Sequence, residues 1–519
     1  MSQRTLAETE DTVEDATEHG ENTPLVATPS AAPYHATSYA LSLAVLILLQ
    51  SMNISMLTTT QSAIAKDLRA YDKTSWFTST YLITMSALGP LNGKLSGIFS
   101  PPACIFVSSM ILAVGGVFSG LASNFELFLV GRSISGCGAA GIFTVAVILV
   151  LDLTKQARRG LAIGLLNAGY TAGVAFGATT AGTLLPLTGW RVLFYGQAPI
   201  ALLAGTVLFL SLPKWNETEN DLSVARLDYL GALTLTASIV LLLLGLSSPK
   251  SIQIWPIVAS LIVLVMFVVW EMYGAYDPII PVRLLRSRGL LFTCLGTVGY
   301  MMTRWTVLFY APTYAIAVRE WSPGTAGSIL IPTNAGFALG GLLVGWLHIK
   351  RSGSFYYASL VAYTLFPLTM AALALLSAQQ SSVILYLVII FINGAISGAA
   401  LNYTLAHVLH LTPKDTHYVA TSLITTFRGL AGSFGAAIGG GFFTRQLNAT
   451  LHAEFRHKGI RNEPLVRELL GSPALVRNLK GIAEAAAVDG YEAALRTLFF
   501  AGAGLAATMI LVQAATGRQ

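Results

Sequence analysis

A glycine pattern at residues 131–141, "GRSISGCGAAG", has the Gly136-x-Gly138-x-x-Gly141 spacing of a turn that holds dinucleotide phosphates. Such a turn needs a strand before it, a helix after it and an acidic residue about 20 positions later. Here the first acid, Asp152, comes too early, and residues 127–151 form one apolar run without a turn signal. A run of that length spans a bilayer as a helix, in which glycines let neighbouring helices approach closely. The pattern therefore predicts a buried membrane helix, with Gly136 and Gly141 as packing positions, and no nicotinamide site.

Three arginines lie inside apolar runs: Arg132, Arg304 and Arg428. An arginine at the centre of a bilayer costs about 2.5–3.5 kcal/mol on insertion scales, so it usually faces the interior of a helix bundle. For Arg304 and Arg428 the functional interpretation is a cationic wall that binds an anionic or polar substrate, and for Arg132 it is a functional charge that faces the bundle interior. The structural alternatives are pairing with helix-end carbonyls or a distant carboxylate, and for Arg132 a side chain that reaches the membrane interface.

No acidic residue lies in the middle of a predicted span. Glu126, Asp152 and Glu271 all lie near span ends. A cavity that contains arginines and no central carboxylate disfavours cationic substrates by Coulomb repulsion. The sequence therefore predicts a small organic substrate that is neutral or anionic.

Other polar residues within the apolar runs are candidates for substrate binding or coupling. The stretch "SMNISMLTTTQSAI" contains Asn53, Thr59 and Gln61, which must line a cavity or bond to another helix because lipid offers no hydrogen-bond partner. His407 is the interior group that titrates near neutral pH. It is either a coupling residue or a hydrogen-bonded packing residue.

The composition indicates a membrane protein. Hydrophobic residues make up 54% of the 519 residues and charged residues 11%, against about 25% charged in soluble domains. The mean hydropathy is +0.65. The net charge of +6 is scattered over loops, which argues against nucleic-acid binding. We find no metal-ligand, P-loop or hydrolase motif, so the sequence predicts neither a cofactor nor an enzyme.

The chain reads as an all-α polytopic membrane protein with fourteen spans joined by short loops. Because the count is even, both termini lie on one side, and the excess of Lys and Arg in that side's short loops predicts the cytosol. Residues 1–38 are predicted to be a disordered acidic tail. Residues 447–490 are predicted to lie on the side of the membrane opposite the cytosol and to form one or two amphipathic helices. The predicted spans are 39–64, 75–99, 102–123, 125–152, 160–187, 190–213, 228–248, 252–274, 289–317, 323–349, 354–377, 381–411, 417–446 and 491–515.

An internal repeat divides the spans into two sets. The pattern Gly93-x-x-x-Gly97 in span two recurs as Gly341-x-x-x-Gly345 in span ten. Span five carries Gly169, Gly173 and Gly177 in steps of four, and span thirteen is similarly rich in glycine. The repeat predicts two six-helix halves, 39–213 and 289–519, with two helices inserted in 214–288. Transporters with such parallel repeats bind their substrate between the halves near the midplane.

Several motifs in order resemble the fourteen-spanner drug:proton antiporter branch of the major facilitator superfamily, particularly its fungal members. "SWFTSTYLIT", "GKLSGIF", "GRSISGCGAAG", "GWRVLFYGQAPIALLA", "PIIPVRLLRSRG" and "TTFRGLAGSFGAAIG" carry this resemblance over residues 39–515. It implies export of small organic molecules by alternating access, coupled to protons. At family positions the chain has Gly97 for an Asp, which leaves open the gating by the usual charge relay. It also has Asn53 for an Asp and Gly177-Ala178 for Gly-Pro, which leaves proton coupling open.

Alternative functions remain at this point. A vacuolar transporter of basic amino acids has the same fold, a membrane enzyme would need clustered acids or histidines, and a channel would conduct without saturation. The stretch "ENTPLV" at 21–26 resembles an acidic-dileucine sorting signal. The sequence therefore predicts a location in either the plasma membrane or the vacuolar membrane.

Overall fold

The computed structural model describes residues 33–154, 159–212, 228–248, 251–275, 278, 280, 284–348, 355–412 and 417–517. The predicted tail up to residue 32, with its sorting-signal pattern, lies outside these residues. The described chain forms helices joined by short connections. The long helices are α1 Pro33–Asp67, α2 Ser75–Ile98, α3 Pro101–Gly120, α4 Phe125–Leu153, α5 Arg159–Tyr195, α6 Gln197–Ser211, α7 Tyr229–Ser247, α8 Ile254–Tyr273, α9 Arg288–Ala317, α10 Leu330–Leu343, α11 Tyr356–Leu376, α12 Val383–Leu411, α13 His417–His457 and α14 Ile482–Ala514.

These helices follow the order of the predicted spans. Within the described residues, nine helices are long and apolar enough to cross a membrane, or ten if the bent pair α5 and α6 counts as one span. Helices α2, α9 and α13 coincide with predicted spans but carry more polar residues or glycines. The all-α membrane fold is confirmed, and the count of fourteen spans stays a prediction that these helices are compatible with.

Local sequence explains where several helices begin. Asn124 precedes α4, and its side chain accepts a hydrogen bond from the backbone N–H of Leu127 at 2.8 Å. Asp228 precedes α7 and accepts from the N–H of Gly231 at 2.7 Å. Such capping satisfies N–H groups that a first helical turn leaves without partners.

The predicted break between spans five and six lies at Gly189. This residue has φ +74° inside the segment that runs to Tyr195, a left-handed conformation that glycine adopts without steric cost. Helix α6 begins only at Gln197, so the predicted start of span six at 190 falls in the bend. The next residues, Trp190 and Arg191, both bond to Asp67 at the end of α1, which fixes this corner.

Glycines in α4 lie against the backbones of α2 and α3. A Cβ atom at Gly138 would lie 2.6 Å from the carbonyl oxygen of Ser108 in α3. A Cβ atom at Gly136 would lie 2.5 Å from the carbonyl oxygen of Tyr81 in α2, and one at Gly141 would overlap the Ser108 side chain. The pattern that resembles a nucleotide-binding turn is thus part of a continuous, tightly packed helix.

The inserted helices α7 and α8 pack against each other, and α7 also contacts α2 and α13. Arg445 of α13 donates hydrogen bonds to the carbonyl oxygens of Leu246 and Ser248, at 3.2 and 2.7 Å. These carbonyls belong to the C-terminal end of α7, which has no further helical donors to satisfy them. The bond therefore attaches the inserted pair to the C-terminal set of helices.

The predicted limits of the last loop differ from the structure. Helix α13 continues to His457 and α14 already starts at Ile482, so the two helices extend beyond the predicted ends at 446 and 491. Between them lie a short helix Glu463–Gly471 and a 3-10 turn Pro473–Asn478. We call the end of the bundle that carries residues 71–73 and 463–478 the outer end.

Candidate functional site

A central cavity lies between helices of the N-terminal set and helices of the C-terminal set. Its space not occupied by protein atoms is about 680 Å³, including the part that is open to solvent. Helices α2, α4 and α5 contribute one wall, and α9, α10 and α13 contribute the other. The lining residues are Leu82, Met85, Ser86, Phe143, Tyr170, Thr171, Val174, Met301, Arg304, Trp305, Leu308, Asn334, Phe337, Arg428, Gly429 and Gly432.

Arg304 is held in this cavity by α10. Its Nη1 donates to Thr333 Oγ1 at 3.3 Å, and its Nη2 donates to Asn334 Oδ1 at 3.2 Å. The guanidinium carbon lies 4.3 Å from the ring centroid of Phe337, close enough for a cation–π interaction. Since only 3% of Arg304 is exposed, its charge is held within the protein and acts on the cavity with little screening by water.

Arg428 of α13 brings a second guanidinium to the same ring. Its guanidinium carbon lies 5.9 Å from the centroid of Phe337. Both arginines line the cavity, and none of the sixteen described residues in its lining is acidic. The cavity is therefore electropositive, and both charges lie near the Phe337 ring.

The orientation of Asn334 follows from its contact with Arg304. A guanidinium can only donate, so Asn334 must turn its oxygen toward Arg304 and its Nδ2 away from it. Asn334 is 4% exposed, and its Nδ2 has no hydrogen-bond partner within the described residues. The amide thus adds an unused donor to a wall that already contains two arginines.

The remaining wall of the central cavity is apolar and aromatic. Trp305 stacks on Phe309 with ring centroids 5.5 Å apart, and Phe143 packs edge-on against Tyr170 at 5.5 Å. Leu82, Met85, Val174, Met301 and Leu308 complete this surface. The arrangement, a few convergent polar groups in a mainly apolar cavity, is typical of small-molecule sites.

The structure places Arg132 and Asn53 together, away from this cavity. Arg132 is fully buried, and its Nη1 and Nη2 donate to the side-chain and backbone oxygens of Asn53 at 3.0 and 3.1 Å. Its Nε donates to the carbonyl oxygen of Phe77 at 3.1 Å. Asn53 in turn donates to Gln197 Oε1 at 2.6 Å. The guanidinium therefore joins α4 to α1 and α2, and Arg132 is not among the lining residues of the described cavities.

Gln61 lies in a second, outer cavity of about 610 Å³. The residues around it are mostly hydroxyl-bearing or aromatic, and Leu470 and Pro473 place the cavity at the outer end. The lining is Thr58, Gln61, Thr74, Thr78, Phe309, Tyr310, Thr313, Ala436, Phe443, Thr444, Leu470 and Pro473. None of these described residues is charged, so of the two cavities only the central one is lined by cationic residues.

Two further candidates take part in packing. Thr59 donates to the carbonyl oxygen of Ala178 at 3.2 Å and so links α1 to α5. His407 is buried near the end of α12, where its Nε2 lies 3.4 Å from Thr516 Oγ1 and its ring packs against Tyr356. Neither residue is among the described lining of the two cavities.

The three regularly spaced glycines of α5 are not equivalent, because two of them pack closely against α1 and one does not. A Cβ atom at Gly173 would overlap the Ser51 side chain, and one at Gly177 would lie 2.7 Å from the Met52 Cα atom. Both glycines therefore mark a close approach to α1. A Cβ atom at Gly169 would meet nothing within 4 Å. Gly173 and Gly177 are packing positions, whereas Gly169 is not required for contact.

Sequence reasoning did not single out Asn334 or Phe337. Asn334 is a lone amide in an apolar span, which is the signal that could have identified it. Phe337 gives no such signal, because phenylalanine is common in membrane helices. Trp305 both packs on Phe309 and lines the central cavity.

A helix bundle with a mainly apolar cavity that holds a few polar groups between two sets of helices is the architecture of a membrane transporter. The sequence profile of the Major Facilitator Superfamily matches residues 43–436, and the chain belongs to this superfamily. The MFS-type efflux pump LUC4 of a Fusarium species is 25% identical over 423 residues, which cover 79% of this chain and 74% of that protein. The resemblance found in the motifs is thereby confirmed at the level of the superfamily and its fungal efflux pumps.

Two other similarities bear on the function and on the fold. Vacuolar basic amino acid transporter 1 of Saccharomyces cerevisiae is 26% identical over 306 residues, covering 58% of this chain and 54% of that protein. The crystal structure of a bacterial homologue of the human lysosomal transporter Spinster, inward-facing and unoccupied, has a TM-score of 0.65 at 16% identity. It covers 94% of this chain and 98% of its own, and shows the shared fold.

Proposed function

We propose that this protein is a secondary active transporter that exports or sequesters small neutral or anionic organic molecules, such as drugs, toxins or secondary metabolites. The observation that carries the proposal is the central cavity, which combines Arg304 and Arg428 with an aromatic wall and no acidic lining residue. The similarity to a fungal efflux pump supports export. Because the sequence has no nucleotide-binding motif, we propose that a proton gradient supplies the energy for transport.

Transport would proceed by alternating access between the halves 39–213 and 289–519, with 214–288 as the insert. At the outer end the halves meet closely. A Cβ atom at Gly182 in α5 would lie 2.5 Å from the carbonyl oxygen of Pro323, and one at Gly327 would lie 2.6 Å from the carbonyl of Ala178. Such backbone contacts leave no passage between these segments, so release at the outer end requires them to separate.

Residues 463–478, which we call the outer segment, add a further contact between the two halves. A Cβ atom at Gly471 would lie 2.5 Å from the Cα atom of Tyr71. Partial burial and the neighbouring Glu468 carboxylate raise the pKa of the Tyr71 phenol. We infer that residues 463–478 cover the outer mouth and move away when the transporter opens on that side.

The second candidate function is transport of basic amino acids, which the similarity to a vacuolar transporter suggests. A lysine or arginine substrate would place its side-chain cation in a cavity with two guanidiniums and without an acidic lining residue in the described chain. Like charges repel strongly where water is scarce. The central cavity therefore favours neutral and anionic compounds over this alternative.

Reconstituted proteoliposomes test the proposed function. We expect saturable uptake of neutral or anionic organic compounds that rises with an imposed pH gradient, and little uptake of lysine, arginine or histidine. Liposomes that contain the inactive, heat-treated protein are the control. Uptake of basic amino acids alone would support the second candidate, and uptake that does not saturate would indicate a channel.

A further inference from the structure

We propose that the central cavity is a carboxylate site, and that it selects organic acids whose single carboxylate is attached to an apolar ring system. This inference rests on the proposed transport function and names its substrate class. It is carried by the convergence of Arg304, Arg428 and the unused amide donor of Asn334 on one cavity.

The cationic donors come from two helices. Arg304 has five N–H donors, and its contacts with Thr333 and Asn334 use two of them within the described residues. Arg428 faces the same space from α13 and lies against the same Phe337 ring. The planar fork of a guanidinium matches the two oxygens of a carboxylate, and the resulting hydrogen bonds are charge-assisted.

Asn334 supplies an observation that is independent of the charges. Arg304 fixes its oxygen, so its Nδ2 must find an acceptor elsewhere, and the described protein offers none. A buried donor without an acceptor is unfavourable. A carboxylate oxygen between Arg304 and Asn334 would satisfy this donor, whereas a ligand that only donates would not.

The aromatic wall of the cavity favours an apolar body in the part of the ligand that does not carry the carboxylate. Trp305, Phe143 and Leu308 form an apolar surface beside the donors. An inorganic anion would leave this surface in contact with water, so the cavity favours a carboxylate that carries an apolar body over phosphate or sulfate.

A matched set of probes tests the selectivity directly. 1-Naphthylacetate, 1-naphthylacetamide and 1-naphthylmethylamine share one ring system and differ in charge. Calorimetric titration of the purified full-length protein should show the carboxylate binding at least about tenfold tighter than the amide, about 1.4 kcal/mol. The amine should give no saturable binding, and inorganic phosphate should not compete.

Two Asn→Asp variants locate the site. Asn334→Asp replaces the unused donor by an acceptor and places a negative charge beside Arg304, so it should weaken naphthylacetate binding at least about tenfold. Asn462→Asp is the matched control. Asn462 is exposed at the start of the outer helix, where Asp also serves as an N-cap, so this variant should bind like the parent protein.

The outcomes separate the two proposals. Equal affinity for the carboxylate and the amide, or no saturable binding of the carboxylate, would overturn the carboxylate site and leave the transport function intact. An unchanged affinity in Asn334→Asp would also overturn it. Failure of vesicle uptake for the whole compound panel, with naphthylacetate binding intact, would instead reject the transport function.

Discussion

Replacing glycine by alanine at two positions should have opposite effects, because one glycine packs against a backbone and the other does not. Gly138 in α4 faces α3, where a Cβ atom would lie 2.6 Å from the Ser108 carbonyl oxygen and 2.8 Å from the Leu112 Cα atom. Gly504 in α14 is exposed, and a Cβ atom there would meet nothing within 4 Å. We therefore expect Gly138→Ala to destabilise the protein and Gly504→Ala to leave it unchanged or slightly more stable.

The magnitude follows from two terms. Alanine favours a helix over glycine by up to about 1 kcal/mol, and this term applies to both variants. Overpacking a filled interface costs about 1–3 kcal/mol, and this term applies only to Gly138 because its neighbours are backbone atoms that cannot rotate away. The propensity term cancels in the comparison, so the two variants should differ by about 1–3 kcal/mol in stability.

Thermal unfolding of the detergent-purified variants, followed by tryptophan fluorescence, measures this difference. Gly138→Ala should unfold at a lower temperature than Gly504→Ala, and Gly138→Leu should yield little monodisperse protein in size-exclusion chromatography. Equal unfolding temperatures for the two alanine variants would refute the close packing of α3 and α4. A lower unfolding temperature for Gly504→Ala alone would contradict the open surroundings of that residue.

Three further variants test the Arg132 network, the outer segment and the membrane topology. Arg132→Lys keeps the charge but cannot reproduce the three bonds to Asn53 and Phe77, so it should lower stability by about 2–4 kcal/mol and reduce the unfolding temperature; an unchanged temperature would show that the network contributes nothing. Gly471→Ala should push the outer segment from Tyr71 and increase maleimide labelling of a cysteine placed at Gln61, and unchanged labelling would argue against a covering role. Lys480→Cys should react with a membrane-impermeant maleimide from the non-cytosolic side, and reaction only from the cytosol would reverse the predicted topology.

The helical membrane fold could be predicted because hydropathy is a local property of the chain. A run such as 383–411 must be a helix in lipid, since each backbone N–H and C=O group needs a partner within the segment. The limits were less predictable at the outer end. Helix α13 continues past residue 446 to His457, where hydropathy falls but helical hydrogen bonding does not end.

The roles of the buried arginines were decided by tertiary structure. Arg132 and Arg304 look alike in sequence, each a single cation in an apolar run. Arg132 lies against the oxygens of Asn53 and the Phe77 carbonyl, which use its donors for joining helices. Arg304 lies beside a space shared with Arg428, which is more than a hundred residues away in the chain.

The sequence by itself determined that the chain is a bundle of membrane helices of a transporter family, and that arginines lie inside its apolar runs. Only the tertiary structure decided which of those charges share a cavity and which hold helices together. The physical reason is that burial depends on each helix alone, whereas a binding site depends on which helices are neighbours. The regular spacing of Gly169, Gly173 and Gly177 shows the same limit, because only the last two face α1 at close range.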